Sequence, residues 1–419
     1  MSVFVKAKAS RSRSLKAILG GAAVLGVSAL VLSGCAAPAA PEETTGPRED
    51  LTLKIGTILP QSGALAFLGP PEEAGVQLAV NDINDANLGI KVDAVFRDSG
   101  DTTTDTATTS VTDLLSQDVS AIIGAASSGV SFTVIDQITG AGVVQISPAN
   151  TSPDFTDYDD SGLYFRTAPS DLLQGEVLGN LIAEDGAATL GLLVLNDAYG
   201  TGLAAALTET YEGAGGEVVA EALFNEGDTS FDAQISTLTA ANPDAIAVIT
   251  FDQAKVVVPA LVGAGYPGSQ LYFVDGNLAD YSADFAPGLV AGSKGTLPGP
   301  AIEDDFRERL LEVDPDLADF SYASESYDAT ILVALAALAA NSTDGAKLAE
   351  KLQEVSGGGD NPGEKFTTFK DAAAAIIAGD VVDYDGPSGP ITFDENGDPT
   401  EATIGIFQYK DDNTYERIN

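Results

Sequence analysis

The chain has 419 residues, with 62 acidic side chains against 20 basic ones and a formal charge of −42 at pH 7. A field of that sign repels phosphate backbones and anionic headgroups, which excludes nucleic acid as a partner. With no histidine, no tryptophan, one cysteine and one methionine, the chain can assemble neither a Ser-His-Asp or Cys-His nucleophile centre nor a zinc site of His and several Cys.

In chain order, Lys6, Lys8, Arg11, Arg13 and Lys16 precede an apolar stretch at 17–31, and small residues close it at Leu32-Ser33-Gly34-Cys35. A basic segment, an apolar segment and small residues in that order read as a secretory signal over residues 1–34. The small pair before the lone cysteine resembles the bacterial lipobox, which implies cleavage before Cys35 and acylation of its thiol. An uncleaved anchor or an ordinary secreted protein are the alternatives. Residues 35–50 are rich in Pro, Ala, Glu and Thr without apolar periodicity, and are expected to form a disordered tether.

From Leu51 the rhythm changes to short β-branched runs alternating with amphipathic stretches. Strands are expected at 53–59, 91–96, 121–124 and 143–147, with helices at 75–84, 105–116 and 131–139 between them. That alternation predicts a mainly parallel sheet covered by helices on both faces. A second block follows, with helices expected at 174–183, 202–213, 231–240 and 254–262. Its strands are expected at 189–195, 217–223, 245–250 and 270–274, ahead of an apolar loop near Gly295. Helices near 304–311, 324–341, 346–355 and 369–378 come next, then strands at 391–393 and 403–409. The apolar run at 327–340 is too short to span a bilayer. Residues 356–363 (SGGGDNPG) read as a flexible surface loop. Asp394-Glu395-Asn396-Gly397-Asp398 reads as an acidic turn and not as a calcium loop. The chain is too long for one small core, so two domains of like architecture are expected.

Over nearly the whole length after residue 50, the sequence resembles the leucine/isoleucine/valine-type substrate-binding proteins of ABC importers, with the periplasmic binding protein type I fold. The matching segments fall in the family's order. They include Pro60-Gln61-Ser62-Gly63, Gly75-Val76-Gln77-Leu78-Ala79, Ile122-Ile123-Gly124 with Ser127-Ser128-Gly129, and Ser147-Pro148-Ala149-Asn150-Thr151. Phe165-Arg166-Thr167, Ala198-Tyr199-Gly200, Asn242-Pro243-Asp244-Ala245 and Tyr327-Asp328-Ala329 follow, then Thr392-Phe393-Asp394. The resemblance implies two α/β lobes joined by a three-segment hinge, with a ligand held in the cleft. Lobe 1 would be 51–165 plus 296–400, and lobe 2 would be 166–295 plus 401–419.

Residue by residue, the family's carboxylate binders fall on Ser128, Ala149 (through its backbone) and Thr151, with Ser127 beside them. The ammonium-binding acid falls on Asp275. Tyr199, Phe251 and Leu68 fall at pocket positions, and Leu68 stands where members specific for aliphatic amino acids often carry an aromatic wall. Arg166 reads as a structural or hinge cation. The serines could equally cap a helix, and Thr151 or Asp275-Gly276 could be plain turn chemistry. The function implied is capture of a small amino acid, branched-chain in type, for an ABC permease, by a membrane-anchored monomer outside the cell membrane. No catalytic residue, cofactor or metal is expected. An amide, urea or another small organic solute remains an alternative ligand, and a sensor for a membrane receptor an alternative role. A hydrolase lacks paired acids and a G-x-S-x-G elbow.

Overall fold

The computed structural model describes residues 50–359 and 361–419. The expected signal, the cleavage site at Cys35 and the tether as far as residue 49 lie outside the described residues.

The first block folds as β1 (Leu51–Leu59), α1 (Gly69–Ala86), β2 (Ile90–Asp98), α2 (Thr106–Ser116), β3 (Ala121–Gly124), α3 (Ser128–Thr139), β4 (Val144–Ser147) and β5 (Tyr164–Arg166). Its five strands lie in the order β2-β1-β3-β4-β5, all pairs parallel. The apolar run of β1 belongs at the sheet centre, where both faces are covered and alternation is not required. Gly56 permits close approach of α2, because a Cβ there would sit 2.7 Å from Leu114. Helix α1 opens on a proline and ends at Asn87 in the left-handed region, as start and stop chemistry dictate.

The second block comprises α4 (Asp171–Glu184), β6 (Thr189–Leu195), α5 (Ala198–Gly213), β7 (Glu217–Phe224), α6 (Asp232–Ala241), β8 (Ala245–Ile249), α7 (Ala254–Gly263), β9 (Leu271–Phe273) and β10 (Lys294–Pro298). The chain then builds α8 (Asp304–Val313), α9 (Ala323–Ala340), α10 (Gly345–Val355), β11 (Glu364–Phe366), α11 (Phe369–Ala378) and β12 (Val382–Tyr384), and ends with β13 (Ile404–Tyr409) and β14 (Tyr415–Arg417). The second sheet has the order β14-β13-β10-β9-β8-β6-β7; β10 and β14 pair antiparallel to β13, and the other pairs are parallel. Helices α8 to α11 pack on the first sheet in one core, while α4, α5 and α7 share a separate core with the second sheet. The result is a two-lobed α/β protein with a mainly parallel sheet in each lobe.

Several expected boundaries shift. The stretch around Gly295 is a strand, not a loop, and it keeps the chain in the second sheet as far as Pro298 because 294–298 pair with 404–408. The strand expected at 391–393 reduces to a single bridge between Phe393 and Pro399. The run 356–363 is not all surface loop. Ser356, Gly357 and Gly358 are buried, and a Cβ on Gly357 would lie 2.2 Å from the Asp383 carboxyl. The apolar run read as too short to span a bilayer extends to the 18 residues of α9. That helix is long and apolar enough to cross a membrane, yet it is buried as the central helix of lobe 1.

Arg166 is fully buried at the end of β5. Its Nε and Nη2 donate to Asp398 Oδ1 and Oδ2 at 2.5 and 2.8 Å, and Nη1 donates to the Ser152 carbonyl at 2.7 Å. The acidic turn at 394–398 thereby supplies the counter-charge for a cation where the chain first leaves lobe 1.

Candidate functional site

Ligands of open α/β sheets sit beyond the carboxyl ends of strands, at helix N-termini. Here β3 leads into α3 through Ser127, whose Oγ accepts the Val130 N–H at 3.3 Å as the N-cap. Facing it from lobe 2 are Asp275, after β9, and Tyr199, in the first turn of α5. Ser127, Ser128, Ala149, Tyr199, Phe251, Asp275 and Leu68 all line one cavity, together with Leu65, Ala126, Gly276 and Tyr322.

Thr151 does not line that cavity; it is buried, and among the described residues its hydroxyl has no hydrogen-bond partner. Ser127 acts as a helix cap, and Ser128 Oγ accepts the Ser152 N–H at 3.3 Å. Both hydroxyls keep a proton to donate. The Ala149 N–H already donates to Ser147 Oγ at 3.2 Å.

Asp275 is buried, and its carboxyl is the centre of the site. Oδ1 accepts the Tyr199 hydroxyl at 2.6 Å and Gln174 Nε2 at 3.0 Å, while Oδ2 accepts the Tyr322 hydroxyl at 2.7 Å. The same Gln174 Nε2 donates to Asp171 Oδ1 at 2.9 Å, so one amide is held between two buried acids. Gln174 Oε1 accepts the Thr296 hydroxyl at 3.0 Å, which fixes the orientation of that amide. Burial raises both carboxyls, and Asp171 is pushed well above the usual range by desolvation and then by the charge of Asp275. Asp275 accepts three neutral donors where Asp171 accepts only the shared Gln174 amide, which favours Asp275 as the carrier of charge. Among the described residues no Lys or Arg forms an ion pair with Asp275. Tyr199 stacks on Phe251 with ring centroids 5.4 Å apart, giving the site an apolar wall beside the charge.

The lobes are closed on one another. The enclosed space is about 10 Å³, the room of a single water. Thr102 of lobe 1 bonds through its N–H and hydroxyl to Glu226 of lobe 2, and Ser152 Oγ donates to the Ala198 carbonyl at 2.9 Å. Asp197 caps α5 through Oδ1 on the Gly200 N–H at 2.8 Å. Its Oδ2 faces Gly129 at the α3 N-terminus, and burial pushes its carboxyl up to about 7. Three larger cavities, of about 830, 480 and 390 Å³, also open among the described residues; the first two share no residue with this cleft, and the third borders it at Tyr322.

Tyr322, Gln174 and Asp171 were not legible as site residues in the sequence. Tyr322 precedes α9 with a left-handed φ of 59°, and nothing local marks a tyrosine in Phe-Ser-Tyr-Ala as reaching the other lobe. Asp171 and Gln174 lie on the buried face of α4 among Leu178, Leu181 and Ile182, a placement that shows only once the helix is packed.

Residues 52–414 match the family described as periplasmic binding protein. The chain belongs to that family, as a type I periplasmic binding protein of the leucine/isoleucine/valine-binding kind. It is 25% identical over 88% of its length to a leucine-, isoleucine-, valine-, threonine- and alanine-binding protein of Pseudomonas aeruginosa, 92% of which is covered. It is 26% identical over 80% of its length to the chemotactic signal transduction system substrate-binding protein BasB of Halobacterium salinarum, 82% of which is covered. Among solved structures, the substrate-binding protein LivJ of Streptococcus pneumoniae, in complex with isoleucine, superposes with a TM-score of 0.70 at 25% identity, covering 88% of this chain and 99% of that one. Proteins of this family bind solutes outside the cytoplasm. The ion-pair-free acid between two lobes is where this member's chemistry concentrates.

Proposed function

We propose that this protein captures a branched-chain amino acid in the interlobe cavity and delivers it to an ABC permease. A lipid on Cys35 would tether it to the outer face of the cell membrane. The observation that carries the reading is Asp275, a buried carboxylate supplied with neutral donors and no basic side chain. An ammonium group provides the missing counter-charge, and the open end of α3 with the Ser127 and Ser128 hydroxyls suits a carboxylate. A zwitterion that touches both has a larger affinity for the closed state than for the open one, and so drives closure. The Tyr199–Phe251 stack with Leu65 and Leu68 suits an aliphatic side chain. Since the cavity of this closed form has room for one water, the amino acid enters with the lobes parted, and the lobes close over it to a roomier form than this one. The relatives that bind leucine, isoleucine and valine support the choice of ligand.

Calorimetric titration of the full chain with the twenty amino acids, simple amides, urea and benzoate tests this reading. Binding of leucine, isoleucine or valine that vanishes in Asp275→Ala is the expected result. Binding confined to a solute without an ammonium group would overturn the site chemistry.

A sensing role is favoured by one observation, the likeness to BasB of a chemotactic system. Uptake of labelled amino acid by cells lacking this protein separates the two roles. Uptake is lost if it feeds a permease and unchanged if it serves only a receptor.

A further inference from the structure

A second cavity, of about 390 Å³, lies on the hinge side of the molecule, walled by both lobes. Tyr322 lines both this cavity and the cleft, and so divides them. The buried acid in its wall is Glu325, in the first turn of α9, which is 5% exposed. Among the described residues no other residue donates to its carboxyl; its own backbone N–H is the one partner. Glu325 also touches the chain where it crosses between lobes. Its carbonyl accepts the Thr167 hydroxyl at 3.0 Å, and its Oε1 lies 2.5 Å from where a Cβ on Gly299 would be. Close to it on α1, Glu72 is wholly buried with neither carboxyl oxygen hydrogen-bonded.

Acids outnumber bases on this lining. Asp280, Asp319, Glu325 and Glu416 stand against Arg307 and Arg417. Both arginines lie over ring faces of the same wall, Arg307 over Phe320 at 4.4 Å and Arg417 over Phe407 at 5.9 Å. Each of these rings already carries a guanidinium on one face, which leaves ring edges and Tyr415 as the apolar wall and Glu325 as the group without a counter-charge. A buried carboxyl whose one partner is its own backbone N–H is costly unless a ligand or a proton satisfies it.

We infer that the hinge-side cavity is a second ligand site, built for a small organic cation with a flat apolar body, whose ammonium group binds Glu325. Burial pushes Glu325 up to about 8, which is how an unliganded acid in this position is accommodated at neutral pH. The cation would displace that proton. The inference is independent of what the cleft binds.

The test is titration of the full chain with benzylammonium, alongside benzyl alcohol as the neutral isostere and benzoate as the anion, in the unaltered protein and three variants. Saturable one-to-one binding of benzylammonium is expected, with benzyl alcohol and benzoate weaker by about tenfold or more, the loss of one charge-assisted bond. Glu325→Gln should weaken it similarly. So should Ala301→Trp, which fills the cavity from an exposed wall position and leaves the core untouched. Ser128→Ala, at a residue that lines the cleft alone and does not touch Tyr322, should leave it unchanged while weakening amino-acid binding, so failure here and failure of the cleft reading are told apart. Absence of saturable binding, equal binding of benzyl alcohol, binding retained in both Glu325→Gln and Ala301→Trp, or binding lost in Ser128→Ala would each overturn the inference.

Discussion

Tyr322 of lobe 1 donates to Asp275 of lobe 2 across 2.7 Å, so the acid at the centre of the ligand site is also a fastening between the lobes. A charge-assisted bond of this kind exists only while the lobes are together. Tyr322→Phe removes it with little change in volume, and the closed form loses about 1.5–3 kcal/mol relative to the open one. Because this closed form has no room for an amino acid, loosening it frees the open, binding-competent form, and affinity for the amino acid is expected to hold or rise. Calorimetry gives the affinity, and small-angle scattering of the free protein should show a larger radius of gyration.

Asp275→Asn separates charge from shape. The amide keeps an oxygen for one tyrosine but carries no charge. Amino-acid binding should drop by about a hundredfold or more, because the ammonium group then enters a buried site without its counter-charge. Thermal stability should hold or rise, since a desolvated anion has been removed. A loss of binding accompanied by an equal loss of melting temperature would mean that the residue is structural.

The Arg166–Asp398 pair makes the opposite case. With the arginine fully buried and bidentate on its partner, Arg166→Met leaves an uncompensated carboxylate, and a loss of about 3–5 kcal/mol is expected. The double variant Arg166→Met with Asp398→Leu should recover much of it. Thermal unfolding of the two variants and the parent measures both effects.

Stability should fall as pH rises from about 5 to about 8. Burial pushes Asp328 up to about 7 and Glu325 up to about 8, so in this window the folded chain holds protons that the unfolded chain has released. A group with a raised folded value stabilises fully below its unfolded value, and that contribution is lost as pH climbs to the folded value. The slope is at most about 1.4 kcal/mol per pH unit for each group. Asp328→Asn should flatten part of the decline in melting temperature. Its neighbours are the Tyr384 and Ser388 hydroxyls, the Ser388 N–H and the nearby Asp385 carboxylate.

The sequence carried the fold where periodicity is strong. Runs such as AIIG and AIAVI lie buried in parallel sheets because nothing polar interrupts them. It failed where pairing is set from far away. Strand β10 forms because residues more than a hundred positions later lie alongside it, and β5 and β14 are three residues long, too short for any pattern. In the site, Ser127, Ser128 and Asp275 could be singled out because each ends a strand or opens a helix in a recognisable segment. Tyr322 and Gln174 could not. Their roles come from the meeting of elements that are far apart in the chain.

The burial of α9 has a bearing on the chain before it folds. Stretched out, Ala323–Ala340 has the length and apolar character of a lipid-crossing segment, and a polypeptide passing through a membrane channel would offer it to the bilayer. Glu325 and Asp328 stand against that outcome. An acid near the middle of such a helix opposes partitioning by roughly 2.5–3.5 kcal/mol, and less toward its end, where these two lie. The two carboxyls that the finished protein hides at a cost in desolvation thus oppose the stopping of this helix in the membrane.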